Sequence, residues 1–277
     1  MKKIPFTKAH GAGNDFLYTF ASDAPPAPHA DFARAICDRH AGAGADGWYL
    51  VDTAVEGADA AIHLLNSDGS AAELSGNGTR CAAALLVDNG LAGEEVRILT
   101  GAGLRRLRLL ERDGLRFRFE MEMGVPGYRQ EEVRYALLLA SGPHEVTILN
   151  VGNPQCAVFC DEFPDDWVPV ARQIEPHPRF PNRTNVSFVR VTDRHTIEAR
   201  FFERGAGETL SSGTGSVGAA VAAILRGEAD SPVRVITAAG GLDVRWEESV
   251  YLTGPAEIVA RGEYYWKGAN PDGHDRG

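Results

Sequence analysis

Two serines open two Gly- and Ala-rich stretches, Ser75 in "ELSGNGTRCAAA" and Ser212 in "TLSSGTGSVGAAV". A Ser-Gly-x-Gly turn running into an Ala-rich helix leaves the first amide N–H groups of that helix without partners, and the helix dipole makes the same end partly positive. Such an end attracts anions, and its glycines let a ligand approach the backbone closely. Two such ends could hold one carboxylate, with the flanking side chains placed for chemistry on both faces of the adjacent carbon. Each serine also reads as an ordinary N-cap, because serine is among the preferred residues at that position.

The pairing of the two turns favours a site. Asn66 precedes Ser75 by the same nine residues by which Glu203 precedes Ser212. A Gly-Asn pair stands further upstream in each half, Gly13-Asn14 and Gly152-Asn153, with Asn14 and Asn153 lying 61 and 59 residues before the respective serine. Three correspondences in one order point to an internal repeat and to two related domains facing each other across a cleft.

The elements that would carry these turns are legible as short runs. "IPFTKAH", "WYLVDTA", "AAIHLLN", "EVRILT", "LRRLRLL" and "LRFRFEME" read as strands, while "HADFARAICDRH" and "GTRCAAALLVDNG" read as helices. The segment "MGVPGYRQEE" interrupts the pattern as a linker. A second set follows: "EVTILNVG", "CAVFC", "TNVSFVRV", "TIEARFFER", the helix "GTGSVGAAVAAILRGE", then "RVITAAGG", "LDVRWEE" and "VYLTGPAEIVARG". These predict domains over 1–127 and 128–277, with a C-terminal strand near 258–268 packing back on the first. The Gly-rich tail 268–277 is expected to be disordered.

With 277 residues and 44% hydrophobic content the chain can build two cores. A net charge of -10, with basic residues scattered among acids, argues against a nucleic-acid or anionic-membrane surface and leaves a small-molecule substrate. The first residues have no apolar signal region and no stretch is apolar enough to span a bilayer, which predicts a cytoplasmic protein. Cys37, Cys81, Cys156 and Cys160 form no CxxC pair and read as buried free thiols. The run "GAGADG" from Gly42 to Gly47 fits a dinucleotide expression, but it follows a helix and precedes a strand, the reverse of the required order.

The motifs "KAHGAGNDF", "RHAGAGADG", "NSDGSAAELSGNGTRCAA", "VGNPQCAVF", "FPNRTNVSFV" and "ERGAGETLSSGTG" resemble those of the diaminopimelate epimerases, within the wider proline racemase superfamily. They run in family order over nearly the whole chain. The resemblance implies an α+β fold of two pseudo-symmetric domains, each a barrel-like mixed β-sheet around a central helix, with the active site in the cleft between them. It also implies a cofactor-independent isomerase that interconverts LL- and meso-diaminopimelate for lysine and peptidoglycan precursor synthesis by two-base proton transfer. No metal, flavin or pyridoxal phosphate is expected, and a homodimer is a family-level expectation.

By this resemblance the catalytic positions are Ser75 and Ser212, where the family carries two cysteines. A thiol of pKa about 8.5 can be tuned to a thiolate near neutrality, and an aliphatic hydroxyl ionises far less readily. Gly76, Asn77, Gly213 and Thr214 match positions that hold the reacting-end carboxylate. Asn14, Asn66, Asn153, Asn185 and Arg204 match those that read the distal amino-acid end, and Glu203 matches the carboxylate that accepts from the substrate ammonium. Asn14, Asn66, Asn153 and Asn185 also read as turn residues, Asn66 most of all, and Glu203 with Arg204 as a surface ion pair, while family order and place in the repeat favour a site for the rest. Gln155 stands where the family has histidine, and Gly47 near a pocket-lining glutamine.

Two alternatives follow from these replacements. One is a racemase, epimerase or dehydratase of another α-amino or imino acid, and the other a catalytically silent amino-acid-binding homologue.

Overall fold

A computed structural model describes residues 1–268; of the tail 268–277, residues 269–277 lie outside the described residues. The chain forms two compact units. The first comprises Met1–Gly11, Asp15–Phe117 and the chain from Ala256, and the second comprises Ala12–Asn14 and Arg118–Pro255.

The first half contains, in order, β1 (Lys2–Gly11), β2 (Asn14–Phe20), α1 (Ala30–Cys37), β3 (Gly47–Asp52), β4 (Ala60–Asn66), β5 (Ala71–Ala72), α2 (Gly76–Asp88), β6 (Glu95–Thr100), β7 (Gly103–Asp113) and β8 (Arg116–Gly124). Next come β9 (Gly127–Tyr128), a 3-10 turn (Gln130–Glu132) and β10 (Tyr135–Leu139). The segment "MGVPGYRQEE" therefore holds structure of its own, and β9 pairs with the strand that follows β10. The second half then runs β11 (Gly142–Asn150), β12 (Pro154–Phe159), α3 (Trp167–Ile174), β13 (Asn185–Asp193), β14 (Thr196–Glu203), β15 (Gly207–Thr209), α4 (Gly213–Leu225), β16 (Val233–Thr237), β17 (Gly240–Trp246) and β18 (Val250–Trp266).

Strand pairing makes the internal repeat physical. β2 and β3 run parallel, as do β12 and β13. β4 pairs antiparallel with β3 and β5 and parallel with β6, and β14 does the same with β13, β15 and β16. The closing hairpins β6–β7 and β16–β17 are both antiparallel. The outer part of β18 pairs antiparallel with β1, from Lys2 opposite Trp266 to His10 opposite Glu257.

Each unit is a mixed sheet with one helix buried inside its curve. In α2 every residue from Gly76 to Leu86 is buried, and in α4 every residue from Gly213 to Ala223. Both helices are rich in Ala, Gly and other small residues, which lets strands close around them, although α2 also buries Arg80. The amphipathic helices α1 and α3 lie outside, burying Phe32, Ala33 and Ile36 in one unit and Trp167, Val170, Ala171 and Ile174 in the other. Phe32 meets Trp48 edge to face at 5.0 Å, and the buried indole donates to Thr19 Oγ1 at 3.0 Å. Among the described residues no helix is long and apolar enough to cross a membrane.

The closest approach in the first unit is at Gly78, in the first turn of α2. A Cβ there would lie 2.2 Å from the Tyr49 hydroxyl and 2.5 Å from its ring. Tyr49 cannot yield easily, since it stacks on Tyr18 at 5.1 Å and meets the Phe16 edge at 5.3 Å. Gly78→Ala is therefore expected to lower unfolding free energy by about 1–3 kcal/mol, the usual cost of overpacking. Gly93→Ala, where a Cβ meets nothing, should stay within about 0.5 kcal/mol of the parent. Urea denaturation of both variants checks this, and an unchanged Gly78→Ala midpoint would contradict it.

Candidate active site

Both serines are N-caps by geometry. Ser75 and Ser212 have extended backbones (φ -124 and -136), and each side chain accepts from the amide three residues on, Gly78 at 3.2 Å and Gly215 at 3.1 Å. Capping occupies one donor at each helix start. Within an α-helix the amides of Gly213 and Thr214 still face no carbonyl of their own helix, so this end keeps its capacity for an anion.

In the second unit the cap carries further chemistry. The Ser212 hydroxyl donates to Glu203 Oε2 at 2.9 Å, and Thr209 donates to Glu203 Oε1 at 2.8 Å. Glu203 closes β14, and the β14–β15 hairpin sets Phe201 opposite Thr209, which returns the threonine to the glutamate. Burial raises the Glu203 carboxyl above the ordinary glutamate range, against the lowering effect of these two hydrogen bonds. The carboxylate is thus oriented by one hydroxyl and faces the other.

Other sequence-predicted residues join the same end of α4. Asn153 donates through Nδ2 to Thr214 Oγ1 at 3.2 Å and accepts from Gln155 Nε2 at 2.7 Å. Gln155 is buried and lies over Gly218, where a Cβ would fall 2.9 Å from its Cγ. Asn185 donates to the Pro154 carbonyl at 2.9 Å and accepts from the Arg204 amide at 3.0 Å. The exposed Arg204 guanidinium donates to the Asn182 carbonyl at 3.1 Å and forms no ion pair with Glu203.

The first unit gathers fewer of its predicted residues. Gly76 and Asn77 share the buried start of α2 with Ser75, and Arg80, fully buried with its pKa lowered by burial to about 10, donates to Asn77 Oδ1. Asn14 opens β2. Asn66 ends β4 in a tight turn, where its Nδ2 donates to Ser70 Oγ at 3.0 Å and its amide to the Ser70 carbonyl at 2.8 Å. Gly47 opens β3 where a Cβ would meet Leu64 Cδ1 at 2.9 Å and the Leu65 carbonyl at 3.0 Å, so a larger residue has no room there.

Thr209 and Tyr49 were not predicted. Thr209 carries no signal beyond its motif, because only hairpin pairing brings it to Glu203. Tyr49 is buried beside Ser75, and burial pushes its phenol far above the normal range against the lowering effect of Ser75. Four free cysteines give no substitute acid or base: Cys37, Cys81 and Cys156 are buried, and burial lifts the first two thiols to about 12 and the third higher still. Cys160 is only half-buried, contrary to expectation, with its thiol also raised by burial. Among the described residues no group of three or more His, Cys, Asp or Glu could hold a metal ion. The "GAGADG" run lies between α1 and β3, in the order helix, loop, strand.

A family model for diaminopimelate epimerase matches residues 6–128 and 147–259. The chain is 38% identical over 280 residues to a diaminopimelate epimerase of Pelotomaculum thermopropionicum, covering 95% of this chain and 99% of that one. It is 39% identical over 275 residues to that of Moorella thermoacetica, covering 94% and 98%. Among solved structures, a hydroxyproline epimerase from Agrobacterium vitis with bound trans-4-hydroxy-L-proline superposes with a TM-score of 0.73 at 17% identity, covering 95% of this chain and 92% of that one. A probable proline racemase from Agrobacterium radiobacter, with bound carbonate, gives 0.73 at 18% identity and coverage of 99% and 94%. At such identity the structural likeness speaks for the fold.

Removing each serine hydroxyl separates cap from network. Ser75→Ala should cost about 0.5–2 kcal/mol as a lost N-cap. Ser212→Ala should cost more by about 1–3 kcal/mol, because it also leaves a partly buried Glu203 oxygen without its donor. Urea titrations at neutral pH compare them, and equal losses would mean that the Ser212–Glu203 bond contributes nothing to stability.

Proposed function

This chain belongs to the diaminopimelate epimerase family, and we propose that it interconverts LL- and meso-diaminopimelate without a cofactor, with Glu203 as the ultimate proton acceptor behind Ser212. The observation that carries the reading is the Ser212 hydroxyl bonded to Glu203 at 2.9 Å beside the buried start of α4. A lone serine is too weakly acidic to ionise near neutrality. A serine whose proton can pass to an adjacent carboxylate as it takes another need never become a free alkoxide.

In this reading the amides of Gly213 and Thr214 take the substrate's α-carboxylate, helped by the helix dipole. Charge that develops on this carboxylate as the α-proton leaves is stabilised by the same donors, which are already in place and need no reorganisation. The α-proton moves to Ser212 Oγ while the serine's own proton moves to Glu203 Oε2. Inversion then requires a proton from a donor on the opposite face, and the reading gives that role to Ser75. Gly76 and Asn77 also serve the α-carboxylate, Asn14, Asn66, Asn153 and Asn185 bind the rest of the amino acid, and Arg204 suits a second carboxylate through its planar fork.

The test is α-deuterium incorporation in D2O with LL- and meso-diaminopimelate, and with proline and hydroxyproline as competitors for the role of substrate. Exchange above the enzyme-free control is expected for diaminopimelate. Faster exchange with another amino acid would reassign the substrate, and binding without any exchange would make the chain a silent binder. Glu203→Gln should lower the rate about 10²–10⁴-fold, the range of a general base. Because Glu203 must be ionised to accept a proton and its pKa is raised, activity should fall with pH through an acid limb above the ordinary glutamate range. A limb that persists unchanged in Glu203→Gln would contradict this assignment.

A further inference from the structure

The two helix starts match in backbone and differ in chemistry. At Ser212 the hydroxyl proton is already directed at Glu203 Oε2, 2.9 Å away, and the carboxylate is held from its other side by Thr209 at 2.8 Å. Glu203 is half-buried as a residue and stands at the end of β14. At Ser75 the repeat places Asn66 where Glu203 stands, and an amide cannot take up a proton in this pH range. That amide is in any case engaged with Ser70 at 3.0 Å. The neighbouring ionisable group is the buried phenol of Tyr49, which burial makes a poor acid. Among the described residues no carboxylate bonds to Ser75 within its unit.

Building on the epimerase reading, we infer that this chain exchanges the α-proton of one diaminopimelate stereoisomer with solvent, with retention of configuration, faster than it inverts that centre. The C–H bond breaks as its proton passes to Ser212 Oγ and the serine's proton to Glu203 Oε2. The electron pair stays on the carbanion conjugated with the α-carboxylate. The new O–H of Glu203 trades its proton for a solvent deuteron, and the deuteron returns through Ser212 to the face it left, forming a C–D bond of the original configuration. Inversion instead needs Ser75 to surrender its proton, and its neighbour within the unit is the Tyr49 phenol, a far weaker proton source than a carboxyl group.

The asymmetry can appear only in exchange. Rates of inversion in the two directions are tied together by the equilibrium constant between the isomers, whereas exchange with retention is bound by no such relation. The isomer whose α-proton faces Ser212 should therefore lose it repeatedly before inverting. The other isomer should gain deuterium no faster than it inverts.

Incubation of LL- and meso-diaminopimelate separately in D2O, followed by chiral separation and mass spectrometry at early times, reads both processes. The expected result is deuterium in recovered substrate about tenfold ahead of inverted product for one isomer, and no such lead for the other. Glu203→Gln should remove the lead. Ser75→Ala, with folding verified by circular dichroism, should keep exchange with retention while inversion falls about tenfold or more. Deuterium confined to inverted product for both isomers, or retained exchange of equal rate in both, would overturn the inference and leave the epimerase reading standing. No exchange with either isomer would overturn that reading and the inference with it.

Discussion

A helix enclosed by a sheet has to bring its polar first turn indoors with it, and the amides there have no carbonyls of their own to meet. In α2 and α4 the buried faces are complete from the first residue, so the cost of those amides cannot be left to solvent. A serine cap satisfies one of them in each helix, and its extended backbone turns the chain into the helix. The amides that remain form a dry, partly positive end suited to a carboxylate. The small residues that allow a strand to pass close by, such as Gly78 under Tyr49 and Gly218 under Gln155, follow from the same enclosure.

Around this shared constraint the two units diverge. The second unit builds a connected polar set at its helix start, in which Gln155 orients Asn153, Asn153 meets Thr214, Asn185 ties the β12 edge to Arg204, and Thr209 fixes Glu203 against Ser212. In the first unit the start of α2 rests on stacked tyrosines, with the Tyr18 hydroxyl donating to the Gly78 carbonyl at 2.8 Å. One half thus carries an ionisable acceptor in a fixed hydrogen-bonded frame, and the other carries groups that hold their protons. A serine hydroxyl is a weaker intrinsic acid than a thiol, and among the described residues a carboxylate bonds to Ser212 and none to Ser75 within its unit.

Much of the frame was legible in the sequence. Alternating runs such as "EVRILT" bury every second side chain as β6 does, and the matched Ser-Gly-x-Gly turns foretold two capped, Ala-rich helices in a repeat. Helix α3 was hidden because Pro169 sits inside "WVPVARQI", although its third-residue position in the first turn needs no amide hydrogen. The strands β2 and β10 also passed unread. Intervals along the chain singled out Ser75, Ser212 and Glu203 as candidates, and the structure joins the last two. The intervals could not locate Thr209, which reaches Glu203 only through hairpin register, or Tyr49, which reaches α2 through packing. Sequence spacing reads what a helix or strand repeats, and side chains that meet through tertiary pairing lie outside its reach.

The central claim is that Ser212 and the start of α4 form the place where the α-carbon reacts. A crystal structure with LL-diaminopimelate bound tests it most directly. The account predicts the α-carboxylate on the amides of Gly213 and Thr214, with the α-carbon in contact with Ser212 Oγ and the Ser212–Glu203 hydrogen bond retained. A ligand whose carboxylate binds elsewhere, or whose α-carbon lies out of reach of Ser212, would contradict it.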